Sequence, residues 1–174
     1  MQVDQSELFQ NGLKHLEKWQ LDEAKQCFKA HLENHPQDAE ALNKLGIVCA
    51  NQQKFEEAAE YFEAAIDFNP KLVSAYSNLG NIFLEQKQFD VAMRIYKKAL
   101  EIDPENPTVH HNLGVLYKQQ GNISEGIKYL KKATSLQKKQ PLPGEEHVGK
   151  KQAGVWFVFW LIVIIVVFYF LLRN

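Results

Sequence analysis

Apolar positions along the first 137 residues have a helical local period and repeat again at a longer one. From Val73 onward, Tyr76, Leu79, Gly80 and Phe83 fall at i, i+3, i+4 and i+7, one face of a helix. The polar run Glu85 to Gln88 interrupts that face, and Phe89, Ala92, Ile95, Tyr96 and Ala99 then supply a second stripe. Asp103-Pro104 ends it, because proline lacks the backbone N–H that would continue the helix. The same two-helix unit returns every 34 residues, as the column Gly12, Gly46, Gly80, Gly114 shows. Ala24, Ala58, Ala92 and Gly126 keep that interval, as do Phe28, Phe62, Tyr96 and Leu130. Pro36, Pro70 and Pro104 keep it too, with Lys138 in fourth place. Four columns sharing one period predict four units, beginning near Gln5, Ala39, Val73 and Pro107.

Small residues in the glycine and alanine columns let helix backbones approach to roughly 8–10 Å, and the aromatic column fills the space between them. One such hairpin cannot bury both of its faces, so neighbours must stack into a solenoid. The columns resemble the tetratricopeptide repeat, with Leu-Gly, an aromatic, Ala, an aromatic, Ala and Pro at these offsets. The resemblance covers about Gln5 to Gln137 and is best in the second and third units. The first departs at Asn11 and His31, where Leu and Ala are expected, and the fourth at Gly126 and Lys138. The implied fold is an all-α helix-turn-helix solenoid of four repeats, near 5–38, 39–72, 73–106 and 107–137.

The pattern changes after residue 137. Residues 138–152, KKQPLPGEEHVGKKQ, hold two Pro and two Gly without helical or strand period, and are expected to form a flexible linker. Residues 153–172 carry no charge and as a helix would be about 30 Å long, one bilayer core. Trp156, Trp160 and Tyr169 lie toward the ends of that stretch, and Lys150, Lys151 and Arg173 flank it. This predicts a C-terminal transmembrane helix followed by the short tail 173–174. The chain resembles a tail-anchored protein, single-pass, with its solenoid on the cytoplasmic side. A bacterial plasma membrane is favoured slightly over the endoplasmic reticulum or the mitochondrial outer membrane. No small-xxx-small pattern marks the stretch as a dimerising helix.

Charge and composition remove several classes of function. Twenty Lys+Arg balance twenty-one Asp+Glu for a net charge of -1 over 174 residues, and no basic stripe suggests nucleic acid. The first ten residues have neither the basic nor the apolar region of a signal peptide. Cys27 and Cys49 form no CxxC and fit a reducing compartment as small apolar residues. Cys27, His31 and His35 share a helix face at i, i+4 and i+8, but His31 occupies a packing column, so structural histidines are expected and no metal. His110 and His111 are adjacent and diverge on a helix. Gly144 and Gly149-Lys150-Lys151 approach a phosphate-binding loop but lack the Ser or Thr and the strand before it. No catalytic constellation is visible, and neither an enzyme nor a cofactor is expected.

The chemistry that remains is recognition. In tetratricopeptide solenoids the first helix of each repeat lines the concave surface. Its sixth position here reads Gln10, Lys44, Asn78 and Asn112, and its ninth Leu13, Ile47, Asn81 and Val115. An asparagine amide both donates and accepts, so it can pair with an extended peptide backbone regardless of sequence. Asn78 and Asn112 resemble the asparagine ladder of the repeat superhelix in O-linked N-acetylglucosamine transferase. Lys44, Asn43, Ser77, Asn81 and His111 would border the same groove. The carboxylate clamp of other family members is not matched, since neither register supplies its cationic pair. The expected function is a membrane-tethered adaptor that holds a peptide or protein partner in the groove. A self-assembling scaffold is the alternative, with the uncapped last helix (Ile123, Ile127, Tyr129, Leu130) as an edge open to a second copy, a partner or the lipid surface.

Overall fold

The computed structural model describes residues 5–139 and consists there of eight α-helices. They are α1 (Gln5–Glu17), α2 (Leu21–Asn34), α3 (Ala39–Asn51), α4 (Phe55–Phe68), α5 (Val73–Glu85), α6 (Phe89–Ile102), α7 (Pro107–Gln119) and α8 (Ile123–Lys139). The chain divides into two compact units, Met1–Leu136 and Gln137–Asn174, and of the second only 137–139 are described, as the end of α8.

Each hairpin closes in the same way. The residue between its helices is left-handed: Trp19 (φ 57), Gln53 (φ 60), Lys87 (φ 58) and Gly121 (φ 83). That conformation lets the next amide reach back, as in Lys54 N–H to Cys49 O at 2.9 Å and Gln88 N–H to Phe83 O at 2.8 Å. Between repeats the chain leaves the second helix through a non-helical residue before proline. His35 (φ -130), Asn69 (φ -135) and Asp103 (φ -133) precede Pro36, Pro70 and Pro104, which disfavour the helical region for them. Asp38 then caps α3, accepting from the Glu40 and Ala41 amides, and Asn106 caps α7 through the Val109 amide.

Packing is serial. From α1 to α7 helices adjacent in the chain pack together, α8 meets α7 through Leu130 against Gly114, and the first helices also touch one another in the pairs α1–α3, α3–α5 and α5–α7. No equivalent contact joins α2 to α4 or α4 to α6, so the first helices form the inner face and the second helices the outer one. Within a hairpin the glycine column admits an aromatic ring. A Cβ added at Gly46 would stand 2.6 Å from Phe62, and one at Gly80 would run into the Tyr96 ring. Between hairpins the apolar rows merge into shared clusters. Phe28 of α2 packs with Leu45 and Val48 of α3, and Phe62 of α4 with Leu79 and Ile82 of α5. Tyr96 of α6 packs with Val109, Leu113 and Leu116 of α7.

The expected single-pass membrane localisation is corrected. No helix among the described residues is long and apolar enough to cross a membrane. The longest, α8, has 17 residues and is about 25 Å long, short of a bilayer core of about 30 Å, and five lysines interrupt it. The described helices mix apolar positions, most of them packed within the solenoid, with charged and polar ones. The stretch 153–172 and its flanks, with Trp156, Trp160, Tyr169, Lys150, Lys151 and Arg173, lie outside the described residues. So does nearly all of the expected linker, since α8 continues to Lys139.

Candidate functional site

The inner face carries a polar network that runs from repeat to repeat. Asn43 of α3 is 1% exposed, so its amide must find partners inside the protein. Its Nδ2 donates to Ser74 Oγ at 3.2 Å, and its Oδ1 accepts from Asn78 Nδ2 at 2.9 Å. One repeat on, Asn112 Nδ2 donates to the buried Ser77 Oγ at 3.0 Å. The sixth-position asparagine of one repeat thus bonds to the fifth-position side chain of the repeat before it. This register starts at the second repeat, because the first offers Phe9 at the fifth position.

The expected groove residues therefore fall into two groups. Asn43 and Ser77 are buried supports and cannot be reached from the groove. Asn78 and Asn112 are half-buried and each commits one amide hydrogen between repeats, leaving the other hydrogen and the carbonyl oxygen. Asn81 is half-buried, and its Oδ1 accepts from Tyr96 Oη at 2.6 Å, which couples the groove to the core of the third repeat. Burial pushes the Tyr96 hydroxyl pKa up, with the charge of Glu85 adding to it, so the group stays a donor. Lys44 is half-buried and His111 exposed, and neither joins the network. The roles of Ser74 and Tyr96 are not among the sequence expectations. Ser74 occupies the second position of its helix, one turn before Ser77 and Asn78, and a reading confined to the sixth and ninth positions passes over it.

The histidines of the first repeat are structural. His31 is buried, pairs through Nε2 with Asp38 Oδ2 at 2.8 Å, and stacks on His35 with ring centroids 4.7 Å apart. Desolvation acts to raise the Asp38 pKa, but the bonds from His31 and from the Ala41 and Glu40 amides outweigh it and hold the carboxyl below its usual value. Among the described residues no group of three or more His, Cys, Asp or Glu could hold a metal ion. Cys27 and Cys49 are free thiols, and burial pushes both upward, away from the reactive thiolate.

Comparison with known families identifies the repeat. Models of the tetratricopeptide repeat match residues 9–73 and 107–140, and a TPR-repeat model matches 80–121. The chain is built of tetratricopeptide repeats. Solved structures agree on the fold. TTC0263, a thermophilic TPR protein of Thermus thermophilus, superposes with TM-score 0.72 at 20% identity, over 78% of this chain and 75% of that one. The crystal structure of MamA gives 0.68 at 24%, covering 79% and 80%, and a MamA RS-1 double mutant gives 0.66 at 22%, covering 82% and 80%. At such identities the likeness carries the fold alone. No curated protein matches the sequence. A TPR solenoid is an architecture for protein–protein interaction or scaffolding.

Proposed function

We propose that this TPR solenoid binds an extended segment of a protein partner along its inner face, with Asn78 and Asn112 pairing to the partner's backbone. The observation that carries this reading is the inter-repeat network. It fixes the two amides in orientation before any ligand arrives, so little side-chain freedom is lost on binding. Each amide keeps one donor and one acceptor, the pair that a peptide N–H and C=O require. Ile47 and Val115 offer apolar contact for alternate side chains, and Lys44 supplies one cation near the start of the track. His111 and Asn81 border the same surface. This is backbone recognition with modest sequence demand.

The test uses a displayed library of random decapeptides selected on the full chain, with the selected peptides then synthesised. Asn78→Ala and Asn112→Ala together are expected to weaken those peptides at least tenfold while helicity is retained. Peptides that bind the double variant as tightly as the parent chain would exclude the ladder. Removing Asn78 also deprives buried Asn43 of a partner, so Asn112→Ala alone serves as the milder control.

A further inference from the structure

We infer that the outer face of α8 is a docking site for an amphipathic helix of a partner protein, with apolar residues at i, i+4 and i+7 and acidic residues beside them. This site is separate from the inner face. In the earlier repeats the second helix turns an apolar row toward the first helix of the repeat that follows. Phe89, Met93 and Tyr96 of α6, for example, pack beneath Val109, Leu113 and Leu116 of α7. At the same register α8 carries Ile123, Ile127 and Leu130. Leu130 is half-buried against Gly114 of α7, but no described residue stands where a following first helix would, and Ile123 is 50% and Ile127 45% exposed. The face has the shape and spacing of a repeat junction without its second half.

A further copy of this chain does not fit there. The α1 positions that would meet the row are Glu7, Asn11 and Lys14, where α3, α5 and α7 have Ala41, Ala75 and Val109, then Leu45, Leu79 and Leu113, then Val48, Ile82 and Leu116. Head-to-tail stacking would press charges onto isoleucines without compensating partners. Pairing two α8 faces would instead bring lysines together. Lys128, Lys131 and Lys132 lie along this helix against the single Glu125. Lys128 pairs with Glu125 at 3.3 Å, and Lys132 approaches Glu105 at 4.0 Å. Lys131, one turn beyond Ile127, is exposed and makes no ion pair among the described residues. A lysine on the rim of an open apolar row selects for acidic residues on the occupant.

The test uses a fluorescein-labelled synthetic helix with Val, Leu and Leu at the spacing of Val109, Leu113 and Leu116, glutamates on the flanks, and a sister peptide with lysines there. Anisotropy titrations on the full chain are expected to show the glutamate peptide binding at least tenfold tighter than the lysine peptide. Ile127→Glu should weaken it at least tenfold and Lys131→Glu severalfold. Both positions are exposed, so circular dichroism should report unchanged helicity. Equal binding of the two peptides, or no effect of Ile127→Glu, overturns the proposal. A parent chain that sediments as a dimer and is split to monomer by Ile127→Glu also overturns it, because the face would then belong to a second copy.

Discussion

Tyr96 connects the core of one repeat to the groove with a single side chain. Its ring fills the space above Gly80, as Phe62 does above Gly46, while its hydroxyl donates to Asn81 at 2.6 Å. Phe28 and Phe62 hold the same column, so Tyr96→Phe fits the space and removes only the bond. Leaving a half-buried Asn81 acceptor without that donor is expected to cost about 1 kcal/mol, measurable by urea unfolding. Gly80→Ala should cost more, about 1–3 kcal/mol, because its new methyl meets the ring rather than a flexible chain end. Lys87 is a residue in the wrong place by local preference, since its φ of 58 lies in the left-handed region that Gly121 adopts freely in the fourth repeat. Lys87→Gly is therefore expected to raise stability, by about 0.5–1 kcal/mol after the added chain entropy is subtracted. An unchanged or lower urea midpoint would refute this.

At the scale of the helix, capping and pairing decide where each element starts. Asp38 caps α3 with one carboxylate oxygen and holds His31 with the other, so it joins the last turn of α2 to the first turn of α3. Its folded-state pKa lies below the ordinary value of 3.8. A depressed carboxylate pKa contributes stability above the unfolded value and loses it as pH falls through the folded one. The parent chain should thus lose stability below about pH 4, and Asp38→Ala should flatten that part of the profile while costing about 0.5–2 kcal/mol at neutral pH. Urea midpoints between about pH 2.5 and 7 test both. The hairpin architecture is legible in the sequence because glycine, aromatic and proline columns each have one steric job and recur at one interval. The candidate site is legible only in part. The asparagines stand out, but the sequence has no way to say that Asn43 would be 1% exposed, or that Ser74 would receive its amide. Those facts depend on how far one repeat is rotated relative to the next. The membrane assignment rests on hydropathy at 153–172, whereas no described helix is long and apolar enough to cross a membrane.

Across the whole molecule the two ends of the solenoid obey different rules. A stack of repeats must stop somewhere, and each end exposes the face that would have met another repeat. The N-terminal end is closed by substitution. Asn11 stands apart in the sequence as a misfit to its column, and Glu7 and Lys14 extend the misfit along one stripe of α1. Polar residues there offer the row on α8 no matching apolar surface on a second chain, and are expected to limit open-ended assembly. That role is testable by reversal. Changing Glu7→Ala, Asn11→Leu and Lys14→Val together restores the pattern Ala41, Leu45 and Val48 of α3 on the outer face of α1. The triple variant is expected to associate head to tail, with sedimentation coefficients that rise with concentration above those of the parent chain. Adding Ile127→Glu should return it to parental size, since the second half of the new junction is then charged. If the triple variant sediments as the parent does at every concentration, the polar stripe on α1 does not control the length of the stack.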